Sequence, residues 1–147
     1  MPLTYERPRE REVGLGPSAS RSVRAFIEAL FARKGEGDEL VLPPRDRTEW
    51  VCNEIDDFVA RASMRSYLVV VLSLFVVDIV APLFLRRVGR LASLEPADRI
   101  HALERFEKSS LSPVLLAVKA LVCIHYYEHP DAAREVGFDG ACLGGER

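Results

Sequence analysis

The chain has 147 residues, of which 48% are hydrophobic and 29% are charged, and its formal net charge is −2. This length and composition predict one soluble globular domain, and the slightly acidic balance argues against a general affinity for nucleic acid. The first residues are polar and contain Pro2 and Pro8 where a secretory signal would have an apolar run, so we expect a cytoplasmic chain.

Apolar residues recur at helical spacing along most of the chain, which predicts an all-α fold. We expect a single compact bundle of about five helices plus a short C-terminal helix. Residues 1–17 are rich in proline, glycine and charge and predict an extended N-terminal arm. The helical domain is then predicted to cover residues 18–142, with a tail over 143–147.

The first two helices have recognisable start signals. Ser18 or Ser20 is the predicted N-cap of the first, and Asp46 or Thr48 is the predicted N-cap of the second. Between these helices, residues 40–44 form an apolar stretch that ends in two prolines, which predicts an extended piece of loop.

The third predicted helix contains the most apolar stretch, the nineteen residues Tyr67–Leu85. This length is enough to cross a bilayer and also suits the central helix of a small bundle. Asp78 would cost about 2.5–3.5 kcal/mol on a lipid-facing helix, and Pro82 interrupts helical hydrogen bonding. Both residues favour a buried core helix with a kink. A single membrane span remains the alternative, supported by the arginines that follow at Arg86 and Arg90.

A buried carboxylate needs a partner, so Asp78 is predicted to pair with a nearby arginine. The candidates are Arg65, Arg87 and Arg99.

Serine and proline mark the starts of the later helices. Ser93 is the predicted N-cap of the fourth helix, with Pro96 in its first turn, and Ser112-Pro113 begins the fifth. A short last helix over Asp131–Val136 is closed by Gly137.

No nucleotide-binding or catalytic motif is present in the sequence. Four polar aromatic side chains cluster at the end of the fifth helix: His125, Tyr126, Tyr127 and His129. They could line a site, but such residues usually cap a core with their polar tips in water. An independent enzyme using Asp78, His125 and Tyr126 is a third hypothesis. The cysteines Cys52, Cys123 and Cys142 are too widely spaced for a typical metal site, and a disulfide between subunits remains open.

Residues 55–142 resemble the small-subunit family of gluconate 2-dehydrogenase, its subunit 3, and similar segments precede the flavin domain of some long-chain alcohol oxidases. The matching segments are Phe84–Arg87, Leu91–Arg99, Leu103–Phe106, Ser110, Pro113, Ala117–Lys119, Tyr126–Pro130 and Val136–Gly140. The resemblance implies a non-catalytic subunit that stabilises or chaperones a large glucose–methanol–choline-type oxidoreductase. It places FAD in that partner and no cofactor in this chain. Many relatives carry a twin-arginine signal, which this sequence lacks.

The candidate structural or interface residues are therefore Asp78, Pro82, His125, Tyr126, Tyr127, His129 and Cys142. The substrate of the partner, whether sugar, sugar acid, steroid or long-chain alcohol, stays open, as does the stoichiometry of the complex.

Overall fold

Six α-helices form within residues 14–138, the part of the chain that the computed structural model describes. They are α1 (Gly16–Leu30), α2 (Arg45–Arg61), α3 (Met64–Leu83), α4 (Pro96–Glu107), α5 (Ser112–Glu128) and α6 (Pro130–Glu135). A short 3₁₀ turn covers Leu91–Ser93, and two short strands, β1 (Arg33–Lys34) and β2 (Leu40–Val41), pair antiparallel. The predicted all-α fold is confirmed.

The core is built mainly where α1 meets α2, α3, α4 and the 3₁₀ turn, and where α5 packs on α2 and α3. Its largest fully buried side chains are aromatic or branched: Phe26 from α1, Ile55 from α2, Phe106 from α4 and Leu115 from α5 are each at most 1% exposed. Burying such side chains contributes about 1.5–3 kcal/mol each, which is the main source of stability in a domain of this size.

The core helix predicted for the apolar stretch is buried on one side only. Only Leu74, Val77, Asp78, Ala81 and Pro82 of α3 are buried. α3 contacts α1, α2, α4 and α5 with this inner side, and its outer side is left uncovered. Pro82 also lies one residue before the end of α3, so it terminates the helix where a kink within a longer helix was predicted.

Three of the predicted helix starts differ from the observed ones. Ser63 caps α3, since its hydroxyl accepts from the backbone N–H of Ser66 at 3.2 Å. Elsewhere the hydroxyls bind carbonyls: Thr48 donates to the Pro44 carbonyl at 3.2 Å, and Ser93 donates to the Arg90 carbonyl at 2.6 Å. Side-chain caps are absent at the N-termini of α1, α2 and α4, whose N-cap residues are Leu15, Pro44 and Glu95. Proline in the first turn of α1 and α4 presets the helical backbone without such a cap.

The hairpin of β1 and β2 was not predicted from the sequence. The five residues between the strands form a tight turn, in which the Gly35 amide donates to the Glu39 carbonyl at 2.7 Å. Gly37 and Asp38 have φ values of 84° and 65°, a conformation that glycine and aspartate adopt most readily. The turn therefore ends α1 early, at Leu30.

Candidate docking face

The outer side of α3 is apolar and exposed to solvent. Leu68, Val69, Leu72, Phe75 and Leu83 are each between 50% and 63% exposed. At 3.6 residues per turn, these five positions fall on one side of the helix. Asp78, the one charged residue between Tyr67 and Leu85, is buried on the opposite side. The outer side is thus an uninterrupted apolar strip about 22 Å long, at about 1.5 Å per residue.

α5 widens this strip. It packs beside α3, and a cavity of about 50 Å³ opens between the two helices. The cavity is lined by Val69, Val70 and Ser73 of α3 and by Ala117, Val118 and Leu121 of α5. Ile124, one turn beyond the cavity, is 59% exposed. We call the outer residues of α3 together with Ala117, Leu121 and Ile124 the α3–α5 face. A contiguous apolar surface of this kind is typical of a site where another molecule binds.

Asp78 anchors the inner side of α3 to the chain that follows it. One carboxylate oxygen accepts from Nε of Arg90 at 2.6 Å, and the other accepts from the backbone N–H of Leu91 at 3.1 Å. Arg90 also donates to the Ser18 hydroxyl, which links the anchor to the start of α1. The carboxylate is 2% exposed, so this network satisfies a charge that burial would otherwise make costly. Asp78 therefore has a structural role in this part of the fold.

The three arginines predicted as partners of Asp78 are placed elsewhere. Arg65 is exposed in the first turn of α3, Arg87 pairs with Asp98 at 2.7 Å, and Arg99 pairs with Glu28 at 2.7 Å. Arg90 reaches Asp78 because the chain reverses direction after α3, with Arg86 at a φ of 57°. Helical spacing alone does not predict this reversal.

Tyr126 belongs to a second, mostly buried cluster at the end of α5. Its ring stacks on Phe31 with centroids 3.6 Å apart, and its hydroxyl accepts from Nη1 of Arg47 at 3.1 Å. The guanidinium of Arg47 also binds both carboxylate oxygens of Glu135, at 2.9 and 3.0 Å. Tyr127 packs edge-on against Phe31, with centroids 6.0 Å apart, and is 43% exposed. The cluster fastens α6 to α2 and α5.

The sequence interpretation overlooked Arg47 and Glu135. Arg47 precedes Val51, Ile55 and Val59 at intervals of four residues, so it begins the buried side of α2. This position could have indicated a buried ion pair, because an arginine on a buried stripe requires an anionic or aromatic partner. Arg47 lowers the pKa of the Glu135 carboxyl by hydrogen bonding to it, and the same bond is the main reason that the pKa of Arg47 is raised.

The pairing of Arg47 with Glu135 gives stability a predictable dependence on pH. Because the folded-state pKa of Glu135 lies below the ordinary value of about 4.3, its contribution is fully present above that value and is lost as pH falls through the folded pKa. We expect wild type to exceed Glu135→Gln in unfolding free energy by a constant amount between about pH 5 and 7. The difference in unfolding free energy between wild type and Glu135→Gln, measured by urea titration, should become smaller at lower pH. Glu104→Gln is the control, and a gap that stays flat or widens in acid would contradict the prediction.

The two histidines of the predicted cluster face different neighbours. His125 is 9% exposed, lies 3.2 Å from the Glu128 carboxylate and packs near the ring of Phe58. His129 caps α6, its Nδ1 accepting from the Asp131 amide at 3.3 Å, and its ring meets Trp50 edge-on. Each contact holds a helix end in place.

Cysteine chemistry gives no sign of a reactive site between residues 14 and 138. Cys52 and Cys123 are free and half-buried, and burial raises the pKa of Cys52 to about 11 and that of Cys123 in the same direction. Both thiols are therefore poor nucleophiles at neutral pH. Cys142 lies outside the described residues. Within those residues, no three histidine, cysteine or acidic side chains are grouped as metal ligands.

The resemblance drawn from the sequence remains a prediction. In comparisons with known proteins, no family model, no curated protein and no solved structure matches this chain.

Proposed function

We propose that this chain is a non-catalytic accessory subunit that stabilises or chaperones a large FAD-dependent oxidoreductase of the glucose–methanol–choline type. The observation that carries the proposal is the α3–α5 face, an apolar surface that the helices within residues 14–138 leave uncovered along most of α3. Covering such a surface is a favourable source of binding energy, at about 25 cal/mol per Å² of apolar area. The kind of partner comes from the resemblance of residues 55–142.

The polar groups that sequence reasoning singled out support an accessory role. Asp78 fixes the turn after α3, Tyr126 holds Arg47, and His129 caps α6. In each case the polar atoms are engaged in contacts that hold helices together. Of these contacts, the one made by Asp78 holds the turn at the end of α3 beside the α3–α5 face.

A membrane protein is the second candidate, because α3 has the length and composition of a membrane-crossing helix and 28% of its most apolar window is buried. Crossing as a single span would require α3 to separate from α1, α4 and α5 and to carry Asp78 into lipid. These costs favour the accessory subunit. Carbonate washing of membranes separates the two, since the accessory subunit is released and a spanning protein is retained.

A polar substitution on the α3–α5 face is expected to break the proposed complex and leave the fold intact. Leu72 is 62% exposed, so Leu72→Glu should change the unfolding free energy by less than about 0.5 kcal/mol. A carboxylate buried without a partner in the interface should weaken association at least about tenfold. The measurement is purification of the tagged full-length chain from its native cells, with bound flavin read by absorbance and partner yield compared between variants.

The matched control is Val136→Glu, which introduces the same charge at an apolar residue that is 61% exposed and lies just after α6. We expect Val136→Glu to recover the flavoprotein as wild type does. If no flavin accompanies the wild-type chain, or if the two variants recover the same amount, the proposed function is wrong.

A further inference from the structure

An arginine without an ion-pair partner stands at each end of the apolar strip on α3. Arg65 lies in the first turn of α3, on the same side as Leu68 and Leu72. Arg86 lies three residues after the last residue of α3. Both are exposed. Neither forms a salt bridge with any residue between 14 and 138, although the neighbouring arginines do: Arg61 pairs with Asp57, and Arg87 pairs with Asp98.

The distance between these two charges follows from the helix itself. Arg65 and Leu83 are eighteen positions apart, so the two ends of α3 that carry these arginines are separated by a helical rise of about 27 Å. The strip between them contains no other exposed charge. A surface that covers the strip must therefore be apolar in its middle and must accommodate a positive charge at both ends.

A second copy of this chain does not fit that pattern. Two α3 helices that met along their outer sides in parallel would place Arg65 against Arg65. In the antiparallel arrangement, Arg65 of each copy would lie near Arg86 of the other. Like charges are juxtaposed in both cases, which disfavours association.

An anionic membrane surface fits less well than a protein. Glu128, with a side chain 55% exposed at the end of α5, lies one turn beyond the α3–α5 face, and the chain as a whole has a net charge of −2. Both features oppose attraction to anionic lipid. The 50 Å³ cavity beside Val69 and Ala117 has room for the end of one side chain, a shape-specific feature that lipid does not use.

We propose that the partner covers the α3–α5 face with an apolar segment that inserts one side chain between α3 and α5 and presents acidic side chains to Arg65 and Arg86. This inference rests on the proposed function, because it specifies the surface of the same partner subunit. The apolar contacts supply most of the binding energy. The two charge pairs fix the direction in which α3 lies on the partner and speed the encounter.

The test uses the separated subunits of the flavin-containing complex and follows their association by stopped-flow or surface plasmon resonance at low and high salt. The double variant Arg65→Glu with Arg86→Glu should associate at least about tenfold more slowly at low salt and lose most of the salt dependence. The control, Arg21→Glu with Arg33→Glu, makes the same change in net charge at two exposed arginines outside the face. Ala117→Leu, which fills the cavity, should weaken binding without slowing the encounter.

The failure of this inference is distinguishable from the failure of the proposed function. If the two double variants associate at the same rate while Leu72→Glu still abolishes the complex, acidic recognition is wrong and the accessory role stands. If Leu72→Glu has no effect, the accessory role itself is wrong. Two further results would overturn the inference. If the lone chain sediments with phosphatidylcholine/phosphatidylglycerol vesicles and Leu72→Glu abolishes this binding, the face binds lipid. If the lone chain dimerises in sedimentation velocity and Leu72→Glu abolishes the dimer, the face binds a second copy.

Discussion

Replacing Arg90 with methionine is expected to lower the unfolding free energy by about 3 kcal/mol. The substitution leaves the Asp78 carboxylate, 2% exposed, with the Leu91 amide as its remaining hydrogen-bond donor among the contacts described. An unpaired buried charge is one of the most costly defects in a folded protein, and the surviving amide bond keeps the loss near the lower end of the usual range. Urea denaturation at pH 7 with circular dichroism measures it.

A double-mutant cycle separates the lost ion pair from other effects of the substitution. Asp78→Asn removes the charge that Arg90 neutralises, so Arg90→Met in that background should cost much less than it does alone. Arg87→Met is the control, because Arg87 and Asp98 are 54% and 34% exposed and such pairs contribute at most about 1 kcal/mol. Equal losses for Arg90→Met and Arg87→Met would mean that Asp78 does not depend on Arg90.

Arg47→Met is expected to lower the unfolding free energy by about 2–3 kcal/mol and to weaken the attachment of α6 to the bundle. Arg47 is 5% exposed and binds Tyr126 and both oxygens of Glu135. Its loss leaves the buried hydroxyl of Tyr126 without this hydrogen-bond donor. Glu135 is half-exposed, so water can hydrogen-bond to its carboxylate instead. Nε of Arg47 is buried without a partner, and removing it offsets part of the loss. Because α6 has only six residues, it depends on tertiary contacts such as this one, and hydrogen exchange of its amides should accelerate.

Arg47→Lys tests whether geometry or charge holds the cluster together. A lysine retains the positive charge but cannot bind both oxygens of Glu135 and the Tyr126 hydroxyl in the same planar arrangement. We expect the unfolding free energy of Arg47→Lys to lie between those of wild type and Arg47→Met. Full retention of stability by Arg47→Lys would show that charge alone is sufficient, and a loss equal to that of methionine would show that charge contributes nothing.

The sequence predicted the number and order of the helices because most of them carry a one-sided apolar stripe. The same reasoning failed for α3, whose side chains are apolar all round, so no periodicity marks the side that is buried. The five buried residues of α3 and its five most exposed apolar residues are of the same chemical kind, apart from Asp78 and Pro82. Which side faces the bundle is decided by the neighbouring helices.

Contacts between distant parts of the chain were also beyond prediction. Arg47 and Glu135 are 88 residues apart, and their pairing depends on how α6 folds back on α2. Asp78 and Arg90 are only 12 residues apart, but their pairing depends on a turn in which Arg86 adopts a left-handed conformation. The β1–β2 hairpin was missed because two strands of two residues are too short to show an alternating pattern.

The exposed apolar side of α3 also has a consequence for how much of the free chain a cell can tolerate. An exposed apolar strip of this length on a free chain favours nonspecific association with unrelated proteins. Such chains form aggregates or are removed by proteases, at a rate that rises with the excess produced. Under the proposed accessory role, we expect synthesis of this chain to keep pace with synthesis of the partner that covers the strip. The steady amount of the chain then reports the abundance of that molecule more closely than it reports the chain's own rate of synthesis.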